Sequence, residues 1–114
     1  MIQLLAILFG SLGAVLRYLV SGLVQERVRH DFPVGTLAVN LVGAFALGLL
    51  VGSGADLESP VIVSLVGLLG GFTTFSTWMV ETLGLGPWSV RAAMNLVVML
   101  LGGVLAAAVG FIVS

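Results

Sequence analysis

With 114 residues, 60% of them hydrophobic and 8% charged, the chain carries more apolar surface than a soluble domain of this size can bury, since such domains are about 25% charged. A net charge of −1, from four arginines and no lysine against five acids, excludes the basic footprint of a nucleic-acid binder and a polybasic lipid-binding cluster. The lack of cysteine excludes disulfides and thiolate metal sites. What remains is a chain covered partly by lipid, in which four spans of ~20 residues use nearly the whole length.

The first apolar run extends from about Ile2 to Val24. No basic side chain precedes Arg17, so the run lacks the positive leading region of a signal peptide and reads as a retained span. It ends in the polar stretch Gln25 to Asp31, where His30, flanked by Arg29 and Asp31, reads as a solvated loop histidine, because metal sites need several converging ligands. The second run, 33–52, opens on Pro33, which favours a helix start. A turn from Ser53 to Pro60 leads to the third run, 60–84, which Gly84-Leu85-Gly86-Pro87 ends. The fourth, 88–113, opens on Trp88, an aromatic suited to the interface. Four segments are too few for a membrane barrel, so backbone satisfaction in lipid requires helices. The chain is therefore one all-α membrane domain, residues 1–114.

Small residues recur at four-residue spacing: Gly48 and Gly52, Gly67 and Gly71, Gly102 and Ala106, Ala106 and Gly110. That spacing places them on one helix face and lets backbones approach closely. The seams so formed lie either within one bundle or between two subunits. A bundle of four thin helices leaves little room for a lined pore, so transport implies an oligomer.

Polar groups inside spans are costly and are the functional candidates. Arg17 stands roughly 10 Å from the end of the first span at 1.5 Å per residue; it either snorkels to the surface or serves function. Glu81, on the same membrane side, is either its ion-pair partner, an interfacial acid or a functional group. Asn40 lies roughly 10–12 Å into the second helix, too deep for an amide to snorkel, so it bonds another helix or a ligand. The segment Gly70-Gly71-Phe72-Thr73-Thr74-Phe75-Ser76-Thr77 suits an unbroken helix poorly. A break there would offer carbonyls to a cation and amides to an anion; the alternative is hydroxyls bonded back to the preceding turn. Phe75 falls near the bilayer midplane, and Trp78, three residues on, shares its face. The positive edge of an aromatic ring can meet an anion without trapping it; ordinary aromatic packing is the alternative.

Taken in order, Gly13-Ala14 with Arg17-Tyr18, Gly35-Thr36 with Val39-Asn40, and Gly70-Gly71 with Thr73-Thr74-Phe75-Ser76-Thr77 and Glu81 resemble the Fluc (CrcB) family of fluoride channels, over the whole chain. The resemblance implies a fluoride-selective channel that passively exports fluoride across the cell membrane of a prokaryote. It implies a dual-topology dimer of antiparallel subunits, each with four transmembrane helices and the third broken mid-membrane. Two pores would run along the interface, and a structural sodium ion at the centre would be held by the backbone carbonyls of Gly70 and Thr73. The implied fluoride pathway takes Asn40, Phe75, Trp78, Thr36, Thr74, Ser76, Arg17 and Glu81, with Arg17 near a pore mouth.

Two features depart from the family pattern. Trp78 replaces a second pore phenylalanine and adds bulk and an N–H donor. The fourth helix, which usually supplies hydroxyl groups to the pore, presents Asn95, Met99, Gly103 and Ala107 along one face. Arg27, Arg29 and Arg91 fall on one membrane side and no basic side chain on the other. The positive-inside rule would then place both termini outside. A homodimer of mixed orientation needs little bias, so an oppositely oriented paralogous subunit is the alternative partner. A proton-coupled multidrug transporter of similar length needs a buried acid in its first helix, and no Asp or Glu precedes Val24. A purely structural or regulatory subunit would leave Asn40 and the hydroxyl-rich segment without a role. Nothing resembles the nucleophile–base pair or metal cluster of an enzyme.

Overall fold

A computed structural model describes residues 1–28, 33–86 and 88–114; Arg29, His30, Asp31, Phe32 and Pro87 lie outside the described residues, as does the side chain of Ser76. Among the described residues five helices follow in order: α1 (Ile2–Val28), α2 (Val34–Gly52), α3 (Pro60–Phe72), α4 (Ser76–Gly84) and α5 (Val90–Val113). Taking α3 and α4 as one stretch from Pro60 to Gly84, four helical segments are long and apolar enough to cross a membrane.

Local chemistry sets the helix ends. α1 continues past Val24, where the apolar run stops, because Gln25, Glu26 and Arg27 are good helix formers. Gln25 also has a second use: its Oε1 accepts the Gly35 N–H at 3.0 Å. That satisfies a first-turn amide of α2, whose own flanking residue Pro33 supplies no side-chain cap. α3 opens on Pro60, at a position where the missing N–H costs nothing. α5 is capped by Ser89, whose hydroxyl accepts from the Ala92 N–H at 3.0 Å.

Two helix pairs carry most of the packing, α2 on α5 and α1 on α3. Glycine makes both possible. A Cβ at Gly71 would overlap the Gly10 carbonyl oxygen across the α1–α3 seam, and one at Gly48 would overlap the Ala107 carbonyl across the α2–α5 seam. Gly48, Gly71 and Gly110 therefore serve contacts within the chain, the first of the two readings of their spacing. The third apolar stretch also changes partner: α3 lies on α1, whereas α4 lies on α5. Between them Thr73 is extended, with φ −83° and ψ 156°.

Polarity is distributed in the reverse of a soluble domain. Among the described residues the buried apolar side chains are Val39, Ala92 and Met99, and the buried polar ones are Thr36, Thr74, Thr82 and Asn95. Leucines and valines such as Leu8, Val15, Leu100 and Val104 point outward. Lipid is the solvent that accepts such a surface, and the polar interior must then satisfy itself.

Candidate functional site

The interruption between α3 and α4 is the centre of the polar interior. α3 ends with the Thr73 N–H donating to the Leu69 carbonyl at 3.0 Å. The next amide leaves the helical pattern: Thr74 N–H donates to Asn40 Oδ1 at 2.8 Å, and Asn40 Nδ2 donates back to the Thr74 carbonyl at 2.9 Å. Asn40 thus replaces both backbone partners that Thr74 lost when the helix stopped. One turn further along α2, Gly43 is buried, and a Cβ there would overlap the Thr73 methyl group. Its missing side chain seats the interruption on α2. On the far side, the Thr74 hydroxyl accepts from the Thr77 N–H at 3.2 Å, the bond by which a capping side chain starts a helix.

These diverted amides leave carbonyls behind. In a continuous helix the Thr74 N–H would bond the Gly70 carbonyl and the Thr77 N–H the Thr73 carbonyl. Here the first goes to Asn40 and the second to the Thr74 side chain. Among the described residues the Gly70 carbonyl accepts only a long bond from the Thr73 hydroxyl, at 3.4 Å, and the Thr73 carbonyl accepts none. Gly70 is exposed on this chain, and the space where its Cβ would stand is open. Two hard, partial-negative oxygens without amide partners fit a small cation that prefers oxygen ligands.

The aromatic residues lie beside the same interruption. Phe75 and Trp78 meet edge to face, with ring centroids 5.5 Å apart and planes at 80°. Phe75 is 68% exposed on the single chain. Both border a groove of about 450 Å³, together with Asn40, Thr73, Thr74 and Met99. The second Asn40 amide hydrogen faces the Met99 sulfur, with Nδ2 to Sδ 3.5 Å. A thioether is a weak acceptor. The Trp78 N–H, by contrast, donates to the Asn95 carbonyl at 3.3 Å.

The predicted pathway residues therefore divide. Asn40, Thr74, Phe75 and Trp78 meet at the groove. Thr36 and Glu81 form a separate contact, in which the buried Thr36 hydroxyl donates to Glu81 Oε1. Among the described residues no ion pair joins Arg17 to Glu81; the acid is served by a hydroxyl from α2 instead. Arg17 is half-buried on α1 and does not line the groove. Ser76 contributes the first backbone position of α4.

One residue carries more than its sequence position indicated. Asn95 is wholly buried, at 0% exposure, and its Nδ2 donates to the Thr82 hydroxyl at 2.7 Å. The available signal was an amide in an otherwise apolar fourth span, which is costly in lipid unless bonded; its partner, Thr82, lies on α4, thirteen residues earlier.

An apolar exterior, a polar interior and, among the described residues, four long apolar helical stretches define a multi-pass membrane protein. The chain belongs to the CrcB family: the family model described as "CrcB-like protein, Camphor Resistance (CrcB)" matches residues 4–111. It is 43% identical over 105 residues to "Fluoride-specific ion channel FluC 2" of Mycobacterium tuberculosis (strain ATCC 25618 / H37Rv), covering 90% of this chain and 82% of that protein. It is 44% identical over 112 residues to "Fluoride-specific ion channel FluC" of Magnetococcus marinus, covering 92% and 90%. With "Fluoride-specific ion channel FluC 1" of Rubrobacter xylanophilus it shares 46% identity over 100 residues, covering 86% and 81%.

Proposed function

We propose that the chain is a subunit of a fluoride-selective channel in the cell membrane of a prokaryote, through which fluoride leaves passively. The family membership and the names of the relatives support the ion and the class, a transporter rather than an enzyme. One observation carries the reading to particular residues: Asn40, Phe75 and Trp78 border one groove that is open along the side of the single chain. A second subunit would close it. The working unit in this proposal is an antiparallel homodimer with both orientations in the membrane. Arg27 and Arg91 stand at the end of α1 and the start of α5, the same membrane side, which favours an oppositely oriented paralogous subunit as the second reading.

The ion meets chemistry of graded strength. Asn40 holds Thr74 with one amide hydrogen and rests the other against sulfur. Fluoride, a compact anion and a strong acceptor, displaces that weak contact while the Thr74 clamp stays in place. The Phe75 edge offers a weaker positive potential next to it. A path made of one amide hydrogen and ring edges compensates dehydration without holding the ion, as conduction requires. Thr36 and Glu81, bonded to each other, and Arg17 serve the approach to this groove; Thr74 lines it, and Ser76 joins the path through its backbone position at the start of α4.

A sodium ion held by the Gly70 and Thr73 carbonyls belongs to the same proposal, supported by their lost amide partners. When bound, it would supply the positive charge that these two carbonyls, left without amide donors, lack. Dimers that unfold at the same midpoint in sodium and in a bulky organic cation would rule this out. The function itself is tested by fluoride release from liposomes containing the purified protein, followed with a fluoride electrode, with chloride as control. Fluoride release at the rate of empty vesicles removes the proposal.

A further inference from the structure

Away from the Asn40 clamp, α4 and α5 are joined by a closed ring of hydrogen bonds. The Trp78 indole Nε1 donates to the Asn95 carbonyl at 3.3 Å. Asn95 Nδ2 donates to the Thr82 hydroxyl at 2.7 Å, and that hydroxyl donates to the Trp78 carbonyl at 2.7 Å. Each of the two residues thus holds the other's backbone: Trp78 directly with its indole, Asn95 through Thr82. Asn95 is 0% and Thr82 6% exposed, so water does not compete for these bonds.

The ring fixes what Trp78 offers to the groove. Its N–H is spent on α5, while its ring remains in contact with Phe75 at 80°. A free indole N–H at that point would be a strong neutral donor in a dry site, and a site that binds too tightly does not release its ion. Asn95 itself keeps an unpartnered buried oxygen, Oδ1, among the described residues. Leaving an acceptor unsatisfied is costly, and an apolar side chain of the same shape would avoid that cost. Packing alone gives no reason for the amide; the Nδ2 bond to Thr82 does.

We infer that Asn95 and Thr82 are positioning residues that withhold the Trp78 N–H from the groove, so that Trp78 meets the passing anion with ring carbon rather than with a donor. The inference rests on the groove being the fluoride path and adds two residues that act on it through a third. It also accounts for a tryptophan at a position where the family pattern has phenylalanine: the added donor is neutralised within the chain.

The test uses the full chain in liposomes and three readouts. Thr82→Val and Asn95→Leu are each expected to slow fluoride release roughly fivefold, the worth of one lost hydrogen bond. Thr82→Ser, which keeps the hydroxyl, should release fluoride at the parental rate. In a Trp78→Phe background there is no N–H to withhold, so Thr82→Val and Asn95→Leu should leave the rate of that background unchanged. The third readout is indole emission. In Trp88→Phe protein, which loses a side chain that is 99% exposed and outside both groove and ring, Trp78 is the remaining tryptophan. Its emission should shift alike in Thr82→Val and Asn95→Leu and stay parental in Thr82→Ser. Equal slowing by these substitutions in the Trp78→Phe background overturns the inference, because Asn95 and Thr82 would then act on the ion or the fold directly. Parental rates in the Trp78 protein overturn it as well. Should Asn95→Leu fail to assemble, the Thr82 pair carries the comparison. Parental liposomes that release no fluoride count against the channel reading instead, and an unshifted emission in Thr82→Val then overturns the positioning claim by itself.

Discussion

Replacing Asn40 with alanine removes both bonds to Thr74, at 2.8 and 2.9 Å, and leaves an N–H and a C=O without partners inside the bundle. Each unsatisfied buried group costs about 1–3 kcal/mol, so Asn40→Ala is expected to destabilise the fold by about 2–6 kcal/mol. The lost contact to the Met99 sulfur adds little, because thioethers accept weakly. Thr74→Ala is the internal standard. It keeps the backbone groups that Asn40 holds and loses the capping hydroxyl bonded to Thr77, at a cost of about 0.5–2 kcal/mol. Asn40→Asp falls between parent and alanine in stability. One carboxylate oxygen still accepts from the Thr74 N–H, but the other faces the Thr74 carbonyl, acceptor against acceptor. The assay is denaturant unfolding of the purified protein in detergent, followed by circular dichroism, with fluoride release measured on the same preparations. The expected order of stability is parent, Thr74→Ala, Asn40→Asp, Asn40→Ala, with release lost in both Asn40 variants. An Asn40→Ala protein that unfolds at or above the Thr74→Ala midpoint would show that the clamp holds nothing, and the account of the interruption would be wrong.

Phe75→Ile roughly keeps volume but removes the ring edge; it is expected to abolish fluoride release while leaving the elution volume of the assembled protein unchanged, and release at the parental rate would mean that Phe75 is packing. Gly71→Leu places carbon into the Gly10 carbonyl across the α1–α3 seam and should cost about 1–3 kcal/mol or more, read as a lowered unfolding midpoint; an unchanged midpoint would refute the seam. A single cysteine at Glu26, an exposed position at the end of α1, should react with an impermeant thiol reagent from both sides of the cell membrane, and labelling from one side alone would replace the homodimer with a pair of paralogous subunits.

The class of the fold was legible because lipid imposes a simple rule: long apolar segments must be helices. The four spans follow from composition and from proline and glycine punctuation. Partner choice was not legible. Gly48, Gly71 and Gly110 announce close approach, yet four-residue spacing is the same whether the neighbour belongs to the same chain or to another. Only the positions of the Ala107, Gly10 and Phe45 carbonyls distinguish the two. Arg17 and Glu81, for which an ion pair was one of the open readings, show the opposite case. Charge sign and shared membrane side made them natural partners, but Thr36, reaching Glu81 from α2, has no charge to mark it.

Asn40 shows why the site was harder to read than the fold. Depth alone required its amide to bond something, and helix or ligand were both open. Its partner proves to be the backbone of Thr74, with one amide hydrogen left against the Met99 sulfur. Every amide taken out of the helical pattern releases the carbonyl four residues before it. Asn40 takes the Thr74 amide and so frees the Gly70 carbonyl; Thr74 takes the Thr77 amide and so frees the Thr73 carbonyl. The groups that start α4 and border the groove are thereby the same groups that leave oxygens without amide donors at the end of α3. A donor-lined face and an oxygen-lined face, the ones proposed above for an anion and a cation, are consequences of a single interruption, and neither can be removed from the chain without disturbing the other.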